Sequence, residues 1–99
     1  MIKCICIDAK DPVVDTWVEQ GKEYTILHVT KHPYQGGVIG AQIKEINIDK
    51  LTEGVFSAFK MSRFGIREQD LEEFFRLCLA CSELDDFSYE ELLKEVELV

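Results

Sequence analysis

Long apolar runs are missing from this sequence of 99 residues. No segment approaches the roughly 18 consecutive apolar residues that a membrane-spanning helix needs. The start also lacks the features of a secretory signal peptide, because Ile2 and Lys3 lead into a short strand-like segment that Asp8 interrupts early. We therefore expect a soluble cytoplasmic protein with no membrane partner, in which the four cysteines are reduced thiols.

Basic residues are scarce, since 11 lysines and arginines stand against 19 aspartates and glutamates, a net charge of −8. The imbalance is confined to one part of the chain. Residues 1–66 carry eight basic and eight acidic groups, whereas residues 67–99 carry three basic and eleven acidic ones. Nucleic-acid binding depends on basic side chains that displace counterions from phosphates, so we expect no nucleic-acid partner. A basic protein partner is electrostatically compatible with this charge.

Recognisable catalytic and cofactor-binding patterns are also absent from the sequence. No nucleophile is arranged with His28 or His32 in a known pattern, which leaves a hydrolase triad without support. Gly36 and Gly37 lead into a strand rather than a helix, so they do not form a phosphate-binding loop. Glu45 lies near a polar connection, where a solvated charge is the expected role. We expect a protein that is not an enzyme and that has no cofactor.

Apolar patterns of period two predict a series of strands in the first two thirds of the chain. The predicted strands are 2–8, 23–30, 38–46 and 55–60, with a polar connection at 47–54 and a tight turn at 61–64. The second strand is expected to present Tyr24, Ile26 and His28 on one face and Leu27 and Val29 on the other. Two of these strands are apolar on both faces, so we expect another element to cover the outside of the sheet.

Three short motifs carry a resemblance to a known family. They are Lys3-Cys4-Ile5 in the first strand, Gly21-Lys22-Glu23-Tyr24 at the start of the second, and Ser62-Arg63-Phe64 in the tight turn. Together they resemble small uncharacterised phage and bacterial proteins over residues 2–66. The resemblance implies an SH3-like antiparallel β-barrel in residues 1–66 and a protein of phage, prophage or bacterial accessory origin.

The apolar period changes beyond Gly65 and predicts two helices, 70–82 and 88–96. Asp70 and Ser88 are the expected N-caps, each followed three residues later by a glutamate. The fold class is therefore α+β, a small barrel in residues 1–66 with an acidic helical extension in residues 67–99, packed as one compact unit. The first helix has an apolar arc of roughly 200°, so either the second helix or a homodimer partner is expected to cover part of it.

The four cysteines are interpreted as core residues. Cys4 and Cys6 alternate on a strand, where their side chains lie roughly 6.5–7 Å apart, and zinc-bound thiolates must converge more closely. Cys78 and Cys81 lie inside an apolar helix rather than in a glycine-bearing turn. We expect all four to be buried, reduced and free of metal, and a four-cysteine zinc site is the alternative.

A binding surface is the remaining functional hypothesis. Lys31, His32 and Tyr34 supply cationic and aromatic groups near one loop and form the predicted interaction surface. Trp17 is expected either to fill the barrel or to join that surface. We interpret the chain as a non-catalytic protein-interaction module with an unidentified protein partner. The alternative is an acidic inhibitor or immunity-type protein that blocks a basic partner through residues 67–99.

Overall fold

A computed structural model describes residues 2–32, 38–80, 94 and 96–99 of the chain. The strands are β1 (Ile2–Cys6), β2 (Glu23–His32), β3 (Val38–Ile43), β4 (Phe59–Lys60), β5 (Phe64–Ile66) and β6 (Glu97–Leu98). The helices are α1 (Ile48–Leu51) and α2 (Leu71–Leu79), and 3-10 turns occupy Met61–Arg63 and Glu68–Asp70. The coarse prediction of an α+β fold is thus confirmed for the described part of the chain.

The strands form one sheet in the order β4-β3-β2-β1-β5-β6, and the connection from β4 to β5 requires this sheet to curl. Neighbouring strands lie about 4.8 Å apart, so four steps across a flat sheet would separate β4 from β5 by roughly 19 Å. Only the 3-10 turn Met61–Arg63 joins these two strands. The four steps along the chain from Lys60 to Phe64 span about 14 Å at most when fully extended. The sheet therefore bends into a half-barrel that brings its distant strands together.

A bulge at Leu27 changes which residues of β2 face the core. The register with β3 pairs Ile26 with Ile43 but His28 with Gln42, so β2 contains one extra residue between the two pairs. Ile26 and Val29 are consequently both fully buried, and Leu27 is exposed. The predicted alternation is wrong at this point, because a bulged strand does not keep the strict period of two.

The core fills the concave side of the curled sheet and extends to α2. Cys4, Tyr24 and Phe64 are buried, and the Phe64 ring makes edge-to-face contacts with Tyr24 and Phe59 at centroid distances of 6.1 Å each. Phe64, the last residue of the Ser62-Arg63-Phe64 motif, is thus a central residue of the core. From α2, Leu71, Phe74 and Cys78 join the same core, so this helix is part of the fold.

The region beyond residue 70 corrects two predictions. The expectation of a purely helical extension in residues 67–99 is wrong, because this part of the chain contains β6, which pairs with β5 in parallel through Gly65–Glu97 and Ile66–Leu98. The first helix begins at Leu71 as predicted but ends at Leu79. Asp70 is its N-cap residue, yet its side chain makes no capping hydrogen bond, since its backbone is in the helical region (φ −99°, ψ −2°) rather than extended.

The boundaries of the later strands also differ from the predictions. β3 ends at Ile43 and β4 contains only Phe59–Lys60, and the predicted polar connection 47–54 contains the short helix α1. The predicted second helix, 88–96, lies almost entirely outside the described residues. Tyr34 and Cys81 also lie outside them.

Replacing Gly65 with alanine is expected to displace β6 from the sheet. A Cβ atom at this position would overlap Cγ1 of Val99, and the main chain nearby is fixed by the hydrogen bond from Val99 N–H to Ile66 O at 3.0 Å. Overpacking of this kind costs about 1–3 kcal/mol, which urea unfolding measures. In the Gly65→Ala background, Val99→Ala should recover most of the lost stability. Full additivity of the two substitutions would contradict the proposed overlap.

Candidate interaction groove

A groove of about 470 Å³ opens between the 7–22 loop, which joins β1 to β2, and the 44–58 connection, which joins β3 to β4. We call it the Trp17 groove. It is lined by Val13, Trp17, Ile39, Gly40, Ile48, Gly54, Val55, Phe56, Ser57, Ala58, Phe59, Lys60 and Arg63. Its volume is in the range typical of ligand pockets in proteins.

Apolar side chains around the Trp17 groove remain accessible to solvent. Val13 is 49% exposed, Val55 74% and Phe56 40%, whereas Ile39 and Phe59 are buried. Isolated exposed apolar residues are ordinary, but several that surround one concave site form a surface capable of binding an apolar group. Bringing the 7–22 loop and the 44–58 connection together therefore creates an apolar site from residues distant in the sequence.

Trp17 is fixed in place by three contacts. Its indole Nε1–H donates to Ala9 O at 3.1 Å, its ring meets the Phe59 ring at 5.0 Å, and the Arg63 guanidinium lies 5.2 Å from its centroid. The side chain is partly buried and packs against the core. Trp17 thus both anchors the 7–22 loop to the sheet and lines the groove.

Arg63 fastens the 7–22 loop to the 3-10 turn. Its Nη1–H donates to Lys10 O at 2.7 Å and to Asp8 O at 3.3 Å, and Nη1 lies 3.6 Å from Asp8 Oδ1. The Arg63 carbonyl oxygen accepts hydrogen bonds from Ile7 N–H and Asp8 N–H at 2.8 and 3.2 Å. The arginine of the Ser62-Arg63-Phe64 motif is therefore a positioning residue for one wall of the groove.

The opposite wall is a loop held by its own hydrogen bonds. Thr52 Oγ1–H bonds to Ile48 O at 2.7 Å, and the same oxygen accepts from Phe56 N–H at 3.0 Å. Gly54 has φ +85°, a left-handed conformation that favours glycine, and its N–H donates to Asp49 O at 2.8 Å. These bonds fix the backbone on both sides of Val55, which presents its exposed side chain to the groove.

The charged residues of the Trp17 groove are both basic. Its lining includes Lys60 and Arg63 and no aspartate or glutamate. The charge of Arg63 is already balanced by Asp8 on the 7–22 loop. Lys60 is exposed, and no residue in the described ranges forms a salt bridge with it. The groove therefore offers one basic group to a ligand in an otherwise apolar setting.

The predicted interaction surface lies largely outside what the structure describes. Lys31 and His32 end β2, with Lys31 opposite the groove residue Ile39 and His32 opposite Val38. Tyr34 lies in the undescribed segment 33–37. Sequence reasoning singled out Trp17 but missed Val55 and Phe56. The signal that could have found them is a pair of adjacent large apolar residues directly after Gly54, where the predicted polar connection 47–54 ends.

Three of the four cysteines are confirmed as buried, and Cys81 lies outside the described residues. Cys4, Cys6 and Cys78 form no disulfide with one another. Burial raises the pKa of Cys4 to about 12, and the neutral Sγ–H donates weakly to Tyr24 O at 3.5 Å. Burial also raises the pKa of Cys6. In the described part of the chain, no group of three or more histidine, cysteine or acidic residues has an arrangement that would hold a metal ion.

Glu45 is exposed, as expected of a solvated charge, and its carboxylate also has a structural role. Its Oε1 accepts from Thr25 N–H at 2.8 Å and its Oε2 from Thr25 Oγ1–H at 2.9 Å, while Lys3 Nζ donates to Thr25 Oγ1 at 3.0 Å. Desolvation alone would raise the pKa of Glu45, but these hydrogen bonds outweigh it and lower that pKa. The carboxylate thus satisfies a backbone donor of β2 near the Leu27 bulge.

The high pKa of Cys4 predicts a loss of stability in alkali. The folded-state pKa is raised from 9.0 to about 12, so the neutral thiol stabilises the fold fully below about pH 9 and progressively less as the pH rises toward 12. Between about pH 9 and pH 11, the free energy of unfolding measured in urea should fall with rising pH, and Cys4 should account for up to about 1.4 kcal/mol of this fall per pH unit. Cys4→Ala should make this slope shallower. An identical slope in both proteins would contradict the assignment.

Comparison with known proteins gives no match to this chain among family models, curated proteins or solved structures. None of the helices in the described ranges has the length and apolar character required to cross a membrane.

Proposed function

We propose that this protein is a non-catalytic interaction module with an SH3-like barrel, and that the Trp17 groove binds an apolar segment of a partner protein. The observation that carries the proposal is the cluster of exposed Val13, Val55 and Phe56 around the groove, next to the fixed indole of Trp17. Exposed apolar groups held on rigid loops bind a partner without losing much conformational freedom.

The proposed SH3-like class is supported by the topology of the first five strands. They are antiparallel to one another, in the order β4-β3-β2-β1-β5, and a single 3-10 turn joins β4 to β5. Of the three sequence motifs, Lys3-Cys4-Ile5 lies in the central strand β1, Gly21-Lys22-Glu23-Tyr24 leads into β2, and Ser62-Arg63-Phe64 leads from the 3-10 turn into β5. The same resemblance is the reason for proposing a phage or bacterial accessory origin, and the buried thiols of Cys4 and Cys6, which form no disulfide with each other, are consistent with the reducing cytoplasm.

Substitution of Val55 by aspartate is expected to weaken partner binding without unfolding the protein. Val55 is largely exposed, so the change costs little stability, but it introduces a charge that must be desolvated when an apolar group enters the groove. Partners would be captured from the native host with the wild-type chain, identified by mass spectrometry and then measured as purified proteins. We expect the affinity to fall at least about tenfold, which corresponds to about 1.4 kcal/mol.

Leu79→Asp is the matched control, because Leu79 is also an exposed apolar residue but lies at the end of α2 and not in the groove. It should leave the affinity unchanged. If the partner instead binds Val55→Asp normally and loses affinity when the exposed Glu72 and Glu73 are replaced with glutamine, the acidic-inhibitor alternative replaces this proposal.

A further inference from the structure

We infer that the partner segment of the Trp17 groove is an extended peptide that carries a large apolar side chain and, close to it, a carboxylate that pairs with Lys60. This inference rests on the proposed function and adds the chemistry of the ligand. This protein is strongly acidic, so its net charge alone would favour a basic partner. The inference predicts the opposite, a preference for an aspartate or glutamate in the partner segment.

The charge of the groove differs from that of the chain as a whole. The chain carries a net charge of −8, yet the thirteen residues that line the groove include two cations and no anion. Arg63 is already paired with Asp8, whereas Lys60 is exposed and remains accessible to a ligand. An ammonium group beside an apolar surface forms a stronger pair with a carboxylate than it would in bulk water, because the local dielectric constant is lower.

The backbone next to Lys60 favours an extended ligand. Phe59 and Lys60 form β4, which pairs with β3 on one side and is the edge strand of the described sheet on the other. Residues 54–60 run along the groove as one continuous segment of its lining. A peptide that adds beside an edge strand gains main-chain hydrogen bonds while its alternate side chains enter adjacent pockets. An apolar side chain in the groove and a carboxylate near Lys60 fit this mode of binding.

A lysine on an edge strand has a second explanation, which the experiment must separate from the first. Edge lysines discourage sheets from pairing with one another, and this role needs a charge but no particular ligand. Reversal of the charge distinguishes the two explanations. Lys60→Glu retains a charged edge strand and so keeps the protective function, but it should invert the preference for a charged residue in the bound peptide.

The test is selection of a displayed library of random twelve-residue peptides on the full chain, in parallel with Lys60→Glu. We expect the wild type to enrich peptides with leucine or an aromatic residue close to an aspartate or glutamate, and Lys60→Glu to enrich lysine or arginine at the acidic position. Individual synthetic peptides, measured by fluorescence polarisation, should reverse their order of affinity by about tenfold or more. Lys44→Glu, a charge reversal at an exposed lysine outside the groove, should select the same peptides as the wild type.

The outcomes separate this inference from the proposed function. Apolar peptides that lose binding on Val55→Asp but show no acidic preference, or no change on Lys60→Glu, would overturn the inference and leave the proposed function standing. Enriched peptides that bind Val55→Asp as well as the wild type, or the absence of any enrichment, would overturn both.

Discussion

Replacing Phe74 with alanine should lower the free energy of unfolding by about 3–5 kcal/mol. The Phe74 side chain is fully buried in the core that α2 shares with the sheet. Truncation removes the transfer free energy of the ring and leaves a cavity that a close-packed core cannot fully collapse. Because small domains have total stabilities of roughly 5–15 kcal/mol, a loss of this size would leave much of the protein unfolded near physiological temperature.

Chemical denaturation followed by tryptophan fluorescence measures this effect. Phe56→Ala is the matched control, since it removes the same ring from a site that is 40% exposed, and it should change the stability much less. A Phe74→Ala protein that unfolds at the same denaturant concentration as the wild type would show that α2 is an appendage to an independently stable barrel.

Replacing Arg63 with alanine should cost about 2–4 kcal/mol and also abolish binding in the Trp17 groove. The side chain is only 13% exposed, and one of its nitrogens donates to the carbonyl oxygens of both Asp8 and Lys10. Its loss leaves those acceptors without their donor and removes the cation beside Trp17. The 7–22 loop, and with it one wall of the groove, should then lose its fixed position.

Two further variants distinguish positioning from general charge effects. Arg76 forms an exposed ion pair with Glu72 at 2.8 Å. Arg76→Ala should therefore lower the free energy of unfolding by less than about 1 kcal/mol. Arg63→Lys keeps the charge but lacks the planar guanidinium, and it should recover only part of the stability and of the affinity. If Arg63→Ala and Arg76→Ala were equally mild, Arg63 would not be the residue that holds the loop.

Much of the fold was predictable because the relevant signals are local. The alternation of apolar residues correctly predicted the strand β3, in which Ile39, Ala41 and Ile43 are buried, and the change of period near Gly65 correctly predicted α2. The tight turn at Met61–Arg63 was also predicted. In each case neighbouring residues determine the backbone conformation, and one apolar face identifies the side that is buried.

The remaining features depend on contacts that are distant in the sequence. Nothing in the residues Glu97–Leu98 indicates a parallel pairing with β5, because the partner strand has to be assembled first. The Trp17 groove likewise combines Val13 with Val55, which only the curl of the sheet brings together. Periodicity reports the burial of individual residues and contains no information about which exposed residues become neighbours.

The Leu27 bulge makes one position tolerant of substitution but intolerant of deletion. Because the side chain of Leu27 is exposed, many residues should function there. Loss of the residue itself would leave a regular ladder in which His28 still pairs with Gln42 and Val29 with Ala41, but it would remove the bend and the added twist that the bulge gives β2 in this curled sheet. Natural variants of this protein should accordingly differ in residue type at position 27 while keeping the length of the segment between Ile26 and Val29 constant.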